Sequence, residues 1–221
     1  MFRKDAREFF VKDLNNLFKR VLYMGDLVEH AIKDAIKALE TREVALAHLV
    51  IEREDLIDRE QEEIENACIS LIAMQQPVAK DLRLISAILK VITDLERMGD
   101  YAEDIAEIVI KFADQPLMKP LIDIPLMAET TIVMVNKALD AFVREDVELA
   151  KEMCEMDSIV DKLYSQVKQD VIKLMEQDTK HVEQGVYLIF IARYLERIAD
   201  HTTNVGEDII YLVTGKRESL N

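Results

Sequence analysis

The chain is written twice. The stretch AIKALETREVALAHLVIEREDLID (35–58) aligns with ALDAFVREDVELAKEMCEMDSIVD (138–161) at an offset of 103 residues. Ala35/Ala138, Ala38/Ala141, Val44/Val147, Leu46/Leu149, Ala47/Ala150, Glu52/Glu155 and Asp58/Asp161 are identical. Further on, LERMGDYAEDIAEIV (95–109) aligns with LERIADHTTNVGEDI (195–209) at an offset of 100, so the second copy is three residues shorter between the two blocks. A period near 100 is too long for a stacked solenoid. Whatever one copy folds into, the other must fold into as well.

Each copy carries a helical period. Leu84, Ile88, Val91, Leu95, Met98, Ala102, Ile105 and Val109 step by four and three, and Leu188, Ile191, Leu195, Ile198, Thr202, Val205, Ile209 and Leu212 repeat the pattern. Such a seam belongs to a helix bundle. Half of the residues are apolar and only five are glycine and four proline, which favours long helices over strands and turns. Pro116, Pro120 and Pro125 gather in ADQPLMKPLIDIP. The spacing therefore predicts an all-α protein of two pseudo-symmetric antiparallel three-helix bundles: a first unit over 1–112, a linker over 113–125 and a second unit over 126–221. The six long helices are expected at 4–40, 42–75, 78–112, 118–143, 146–177 and 180–213. Thr41 and Asp178-Thr179 serve as helix caps and Pro77 as a first-turn proline.

Four Glu/Asp-x-x-x-Asp motifs sit on these helices: Glu54/Asp58 and Glu96/Asp100 in the first copy, Asp157/Asp161 and Glu196/Asp200 in the second. A hairpin turning about Pro77 brings Glu54 level with Asp100 and Asp58 level with Glu96. One turning between Asp178 and Thr179 does the same for Asp157 with Asp200 and Asp161 with Glu196. Converging carboxylates repel unless protons or a cation cancel them. Oxygen-only donors suit hard ions such as magnesium, calcium or manganese, and iron; zinc is less natural without His or Cys. A solvated acidic face neutralised by Arg97 and Arg197 is the plainer account of any single motif. Four motifs level across two hairpins favour metal. Asp26 and Glu129, on the first helix of each unit, are weaker ligand candidates, and His30 and His201 read as ordinary histidines. Gly99 and Ala199 leave room inside the motifs for a close approach.

The net charge of −15 excludes a nucleic-acid backbone or an anionic membrane surface as a natural partner. MFRKDAREFF is not a signal peptide, and the longest apolar runs are too short to span a bilayer, so a cytoplasmic chain without membrane insertion is expected. Cys68 and Cys154 lie in apolar helical patterns and read as reduced core residues. There is no Gly-rich phosphate loop and no Ser/His/Asp set. None of His30, His48, His181 and His201 has a glutamate three residues before it, which disfavours a carboxylate-bridged di-iron redox enzyme. A metal-free helical scaffold of the co-chaperone kind stays open.

QQPVAKDLRLISAILKVITDLERMGDYAEDIA (75–106) and YLERIADHTTNVGEDI (194–209) resemble the PhoU family of phosphate-signalling regulators, over essentially the whole chain. The resemblance implies two three-helix bundles with metal sites, often iron-containing, at Glu54, Asp58, Glu96, Asp100, Asp157, Asp161, Glu196 and Asp200. Asn204 matches the family's asparagine after the acid pair; Asp104 takes that place in the first unit and adds a charge, leaving the sites unequal. The resemblance further implies a negative regulator rather than an enzyme. Its partners would be a sensor histidine kinase and the ATPase subunit of a phosphate ABC transporter; a homodimer stays open.

Overall fold

The computed structural model describes residues 2–220. Its helices are α1 (Phe2–Thr41), α2 (Val44–Gln75), α3 (Lys80–Phe112), α4 (Asp123–Arg144), α5 (Val147–Glu155), α6 (Asp157–Gln177) and α7 (Val182–Thr214), with a 3-10 turn over Thr179–His181. Among the described residues there is no strand. The expected fifth helix is interrupted. Met156 N–H donates to Met153 O and Ile159 N–H to Met156 O, both one residue short of the α pattern, although Met156 itself keeps α-type angles. The tightened turn parts α5 from α6 directly before Asp157. Taken together, α5 and α6 fill the place of α2, and six long helices result.

Several ends differ from expectation for local reasons. Thr41 closes α1 instead of capping α2: its hydroxyl donates to Lys37 O, and Arg42 turns the chain at φ 58°. Pro77 lies in the loop, because Gln76 ends α2 in the left-handed region with its N–H on Ile72 O, and Ala79 turns again at φ 49° before α3 begins. Asp178 does cap, accepting from Lys180 N–H at 3.0 Å. α4 starts at Asp123, so Pro125 falls inside its first turn and the connection is 113–122. Buried Gln184 fixes that connection, accepting from Met118 N–H at 2.5 Å and donating to Pro116 O at 3.1 Å.

α2 and α3 form one antiparallel hairpin, α5/α6 and α7 the other. α3 packs antiparallel on α7, so the row runs α2, α3, α7, α6, with α1 and α4 crossing behind. α2 buries six of its 32 residues and α3 fifteen of 33, which makes α3 a central helix and α2 an outer one. Tyr101 stacks on Tyr194 at 5.7 Å and Phe112 on Tyr187 at 5.7 Å across the α3–α7 seam. Behind, Phe18 of α1 meets Phe142 of α4 at 5.5 Å. Gly25 permits that crossing, since a Cβ there would stand 2.2 Å from Leu139 Cδ1. One continuous apolar core results, spanning both copies.

Inside the first hairpin, a Cβ on Gly99 would lie 2.9 Å from Ile57 Cδ1. The equivalent residues of the second copy are Ala199 and Val160, both fully buried. One methyl has moved from one helix to the other, and the packed volume is kept. Gly99→Ala is therefore expected to be close to neutral: about 1 kcal/mol of helix propensity opposes about 1–3 kcal/mol of overpacking. Ile57→Val alone should cost about 0.5–1.5 kcal/mol. Urea melts of the double variant should show a favourable coupling of about 1 kcal/mol; strictly additive effects would refute this account of the packing.

Candidate metal centres

The acids lie in the two grooves of the outward face, α2–α3 and α6–α7. The level pairs expected from the hairpins are the ones whose charges act on each other. Glu54 is pushed up to about 8 by burial, by its neighbour Asp58 and by the charges of Glu103 and Asp100. Glu96 is raised by burial, then by Asp100, with Asp58 also acting on it and Arg97 opposing. Asp157 is pushed up to about 6 by burial, Asp161 and Asp200. Glu196 is raised by burial, then by Asp200, with Asp161 contributing and Arg193 and Arg197 opposing.

Four oxygens are shut off from solvent without a hydrogen-bond partner: Glu54 Oε1, Glu96 Oε2, Asp157 Oδ1 and Glu196 Oε2. They occupy equivalent positions, one from the outer helix and one from the central helix of each unit. A buried, unsatisfied carboxylate oxygen costs about 1–3 kcal/mol or more, and the duplication has kept that cost in both copies. Asp58 and Asp161 sit at the exposed rims; Asp100 and Asp200 are half-buried. Arginines answer part of the charge. Arg97 pairs with Asp100 at 2.8 Å and stands 3.4 Å from Glu96 Oε2. Arg197 pairs with Asp200 at 3.2 Å, and Arg193 holds Glu196 through Oε1.

Among the described residues, no three Asp, Glu, His or Cys side chains come together into a ready-made cage. The donors stand in facing pairs. This arrangement fits a hard cation that takes two or more carboxylate oxygens and keeps water for the rest of its shell. The orphaned oxygens supply the anionic donors such an ion requires.

Other candidates are placed differently. Asp104 lies about a quarter-turn round α3 from Glu96, at roughly 100° per residue. Its charge reaches Tyr194 on α7 and Asp100, Glu107 and Lys111 on α3. Asn204, its counterpart, donates to Asp94 Oδ1 at 3.3 Å across the same seam, where His201 Nδ1 also meets Asp94 at 2.8 Å. Asp26 and Glu129 are exposed on α1 and α4. His30 turns its Nδ1 to Asp26 O at 2.6 Å. Cys68 and Cys154 are free and buried, and burial pushes both thiols up to about 12. The residue that motif reasoning set aside is Glu103. Burial raises it, followed by the charges of Glu107, Asp100, Asp104 and Asp58, so it belongs to the α2–α3 groove. The signal was present: Glu103 follows Glu96 by seven residues, which returns to the same face of a helix.

Fold and site together define a duplicated all-helical protein with a carboxylate groove in each half. The PhoU domain family model matches residues 21–109 and again 124–209. A phosphate-specific transport system accessory protein PhoU homolog of Clostridium acetobutylicum is 41% identical over 98% of this chain and 99% of its own length. One from Aquifex aeolicus is 42% identical over 93% of each. The crystal structure of PhoU from Pseudomonas aeruginosa is 35% identical with a TM-score of 0.89, covering 94% of this chain and 100% of that one. The PhoU of Streptococcus pneumoniae has the same TM-score at 29% identity, over 95% and 99%. The chain belongs to the PhoU family. Its named relatives are accessory proteins, not enzymes. No helix among the described residues is long and apolar enough to cross a membrane.

Proposed function

We propose that this protein is a cytoplasmic accessory protein of a phosphate-specific transport system and a negative regulator of phosphate uptake and of the phosphate-starvation response. Kinship over the full length, to proteins named for that accessory role, carries the reading. The partners proposed are the ATPase subunit of the phosphate ABC transporter and a sensor histidine kinase, with the chain as adaptor between them. A strongly acidic surface suits basic patches on such partners. Deleting the gene should leave phosphate-starvation genes switched on in phosphate-rich medium; normal repression there would contradict the regulatory role.

Within that role, the two grooves are proposed as sites for a divalent or trivalent cation: iron first, manganese or magnesium next, zinc least. Glu54, Asp58, Glu96 and Asp100 would hold it in one unit and Asp157, Asp161, Glu196 and Asp200 in the other. A bound ion supplies positive charge that fixes otherwise repelling side chains in one arrangement. The carboxylates present the donors, and Arg97 and Arg197 balance the charge left over. A second reading keeps the grooves metal-free, their acids held by arginines alone; the lack of a three-donor cage favours it. Elemental analysis of purified protein beside a variant with Glu96, Asp100, Glu196 and Asp200 made neutral separates the two, because equal metal in both would remove the ion from these grooves.

A further inference from the structure

We propose that the outward side of the α3–α7 seam is a docking surface for a basic amphipathic helix of another protein, whose apolar stripe lies on Phe190, Tyr194 and Tyr101 and whose cations stand beside Asp104 and Glu107. The surface rests on the accessory role proposed above and deepens it, since it names where a partner is met; it does not depend on metal.

Four rings run along this side of the seam. Phe190 stacks on Tyr194 at 6.3 Å, Tyr194 on Tyr101 at 5.7 Å, and Tyr101 meets His201 at 5.8 Å. Phe190 is 49% exposed, and Val186, one turn before it, is 38% exposed. From Phe190 to His201 the helix advances about 16 Å, roughly three turns. The duplication shows that the fold does not need this stripe. Ser86, Lys90 and Asp94 of α3 hold the places of Val186, Phe190 and Tyr194; the first two are exposed and the third half-buried, as their counterparts are. There the charged residues are answered across the seam. Lys90 pairs with Asp208, and Asp94 accepts from Asn204 at 3.3 Å and meets His201 at 2.8 Å. The aromatic end instead leaves apolar surface in water. An amphipathic helix lays its apolar face into a groove of this kind.

Charge selects the occupant. Asp104 and Glu107 stand beside the rings, and after burial their charges raise Tyr194. Asp104 itself is raised by burial, then by Glu107 and Asp100. Glu107 meets Lys111 only at 3.9 Å, between exposed side chains. The arginines on the other flank are already engaged, Arg193 with Glu196 and Arg197 with Asp200. Cations of an incoming helix would therefore relieve repulsion at Asp104, and the field of a chain with net charge −15 favours their approach. A second copy on this face would set the same acids against one another.

The probe is a fluorescein-labelled synthetic peptide with leucines at helical spacing and lysines elsewhere, titrated with the full-length protein at physiological salt and read by anisotropy. Two control peptides carry serine in place of leucine, or glutamate in place of lysine. The leucine–lysine peptide should bind the wild type, and Phe190→Ala should weaken it about tenfold or more, as loss of a central aromatic anchor does. Asp104→Asn should weaken it about threefold and flatten its salt dependence. Val133→Ser, at a similarly exposed residue of α4, should change nothing. The serine peptide should bind weakly, and equally to the wild type and Phe190→Ala. Circular dichroism checks that each variant keeps its helices. Equal affinity of the wild type and Phe190→Ala for the leucine–lysine peptide, tight binding of the glutamate peptide, or no binding at all overturns the docking surface. So does a wild-type dimer in sedimentation velocity that Phe190→Ala dissociates, because a second copy would then be the occupant. None of these outcomes touches the accessory role, which the gene deletion tests separately.

Discussion

Neutralising Glu54, Glu96, Asp157 and Glu196 together, as Gln, Gln, Asn and Gln, is expected to stabilise the metal-free protein and to abolish its stabilisation by metal. All four carry an oxygen that is sealed from water and has no hydrogen-bond partner. In the folded chain Glu54 holds its proton up to about pH 8 and Asp157 up to about 6, from ordinary values of 4.5 and 3.8. Folding therefore raises both values. Between the unfolded and folded values the native state binds more protons than the unfolded state, so stability falls as pH rises through that window. The metal-free wild type should melt highest near pH 5 and lose several degrees by pH 8.5, at about 2–4 °C per kcal/mol for a chain of this size. The neutralised variant should melt at nearly the same temperature across that range. An excess of Mn²⁺ should reverse the order. An ion at a hundred times its dissociation constant adds about 2.7 kcal/mol to the folded state, hence about 5–10 °C for the wild type and nothing for the variant. The measurement is a thermal melt with and without Mn²⁺ across pH. An equal rise in both proteins would show that the ion sits elsewhere, and a wild-type melt that climbs from pH 5 to 8 without metal would show that these acids are not strained.

The pairing of these acids was legible from residue numbers alone, because a tight antiparallel hairpin fixes which residues stand level. The hairpin argument needed only a turn near Pro77 and near Asp178, and it survived the loss of Pro77 as a helical residue: a shift of two or three residues in where a helix begins leaves the level pairs in place. What was not legible has physical reasons. The break at Met156 carries no proline or glycine; it is a change of hydrogen-bond register visible only in three dimensions. Glu103 was passed over because a four-residue spacing was sought, while a seven-residue step lies closer to the same line along a helix. Asp104 and Asn204 hold matching places in the two copies, but matching position does not say which neighbour a side chain faces, and both lie toward the seam between α3 and α7. That seam was itself concealed. An apolar stripe on each central helix shows that it is buried, not that the two central helices bury one another.

Because the two copies share that seam, Phe142→Ala is expected to destabilise both of them at once. Phe142 is fully buried on α4, and the ring it meets, Phe18, belongs to the other copy. Truncating such a ring typically costs about 3–5 kcal/mol, enough to raise the unfolded fraction by roughly two to four powers of ten. Each copy contains one buried free cysteine, Cys68 in α2 and Cys154 in α5, so thiol labelling reports on the two halves separately within one molecule. If the continuous core unfolds as a unit, Phe142→Ala should speed the labelling of Cys68 and Cys154 by the same factor in moderate denaturant. Peptide mass spectrometry after timed labelling reads the two sites. Should Cys154 become reactive while Cys68 keeps its wild-type rate, the copies are separate folding units joined by a linker. The seam between α3 and α7 would then be a docking contact, free to open. Equal acceleration would instead mean that a disturbance in one groove reaches the other through packed side chains, since neither half can loosen without exposing the Tyr101–Tyr194 and Phe112–Tyr187 stacks that both halves build.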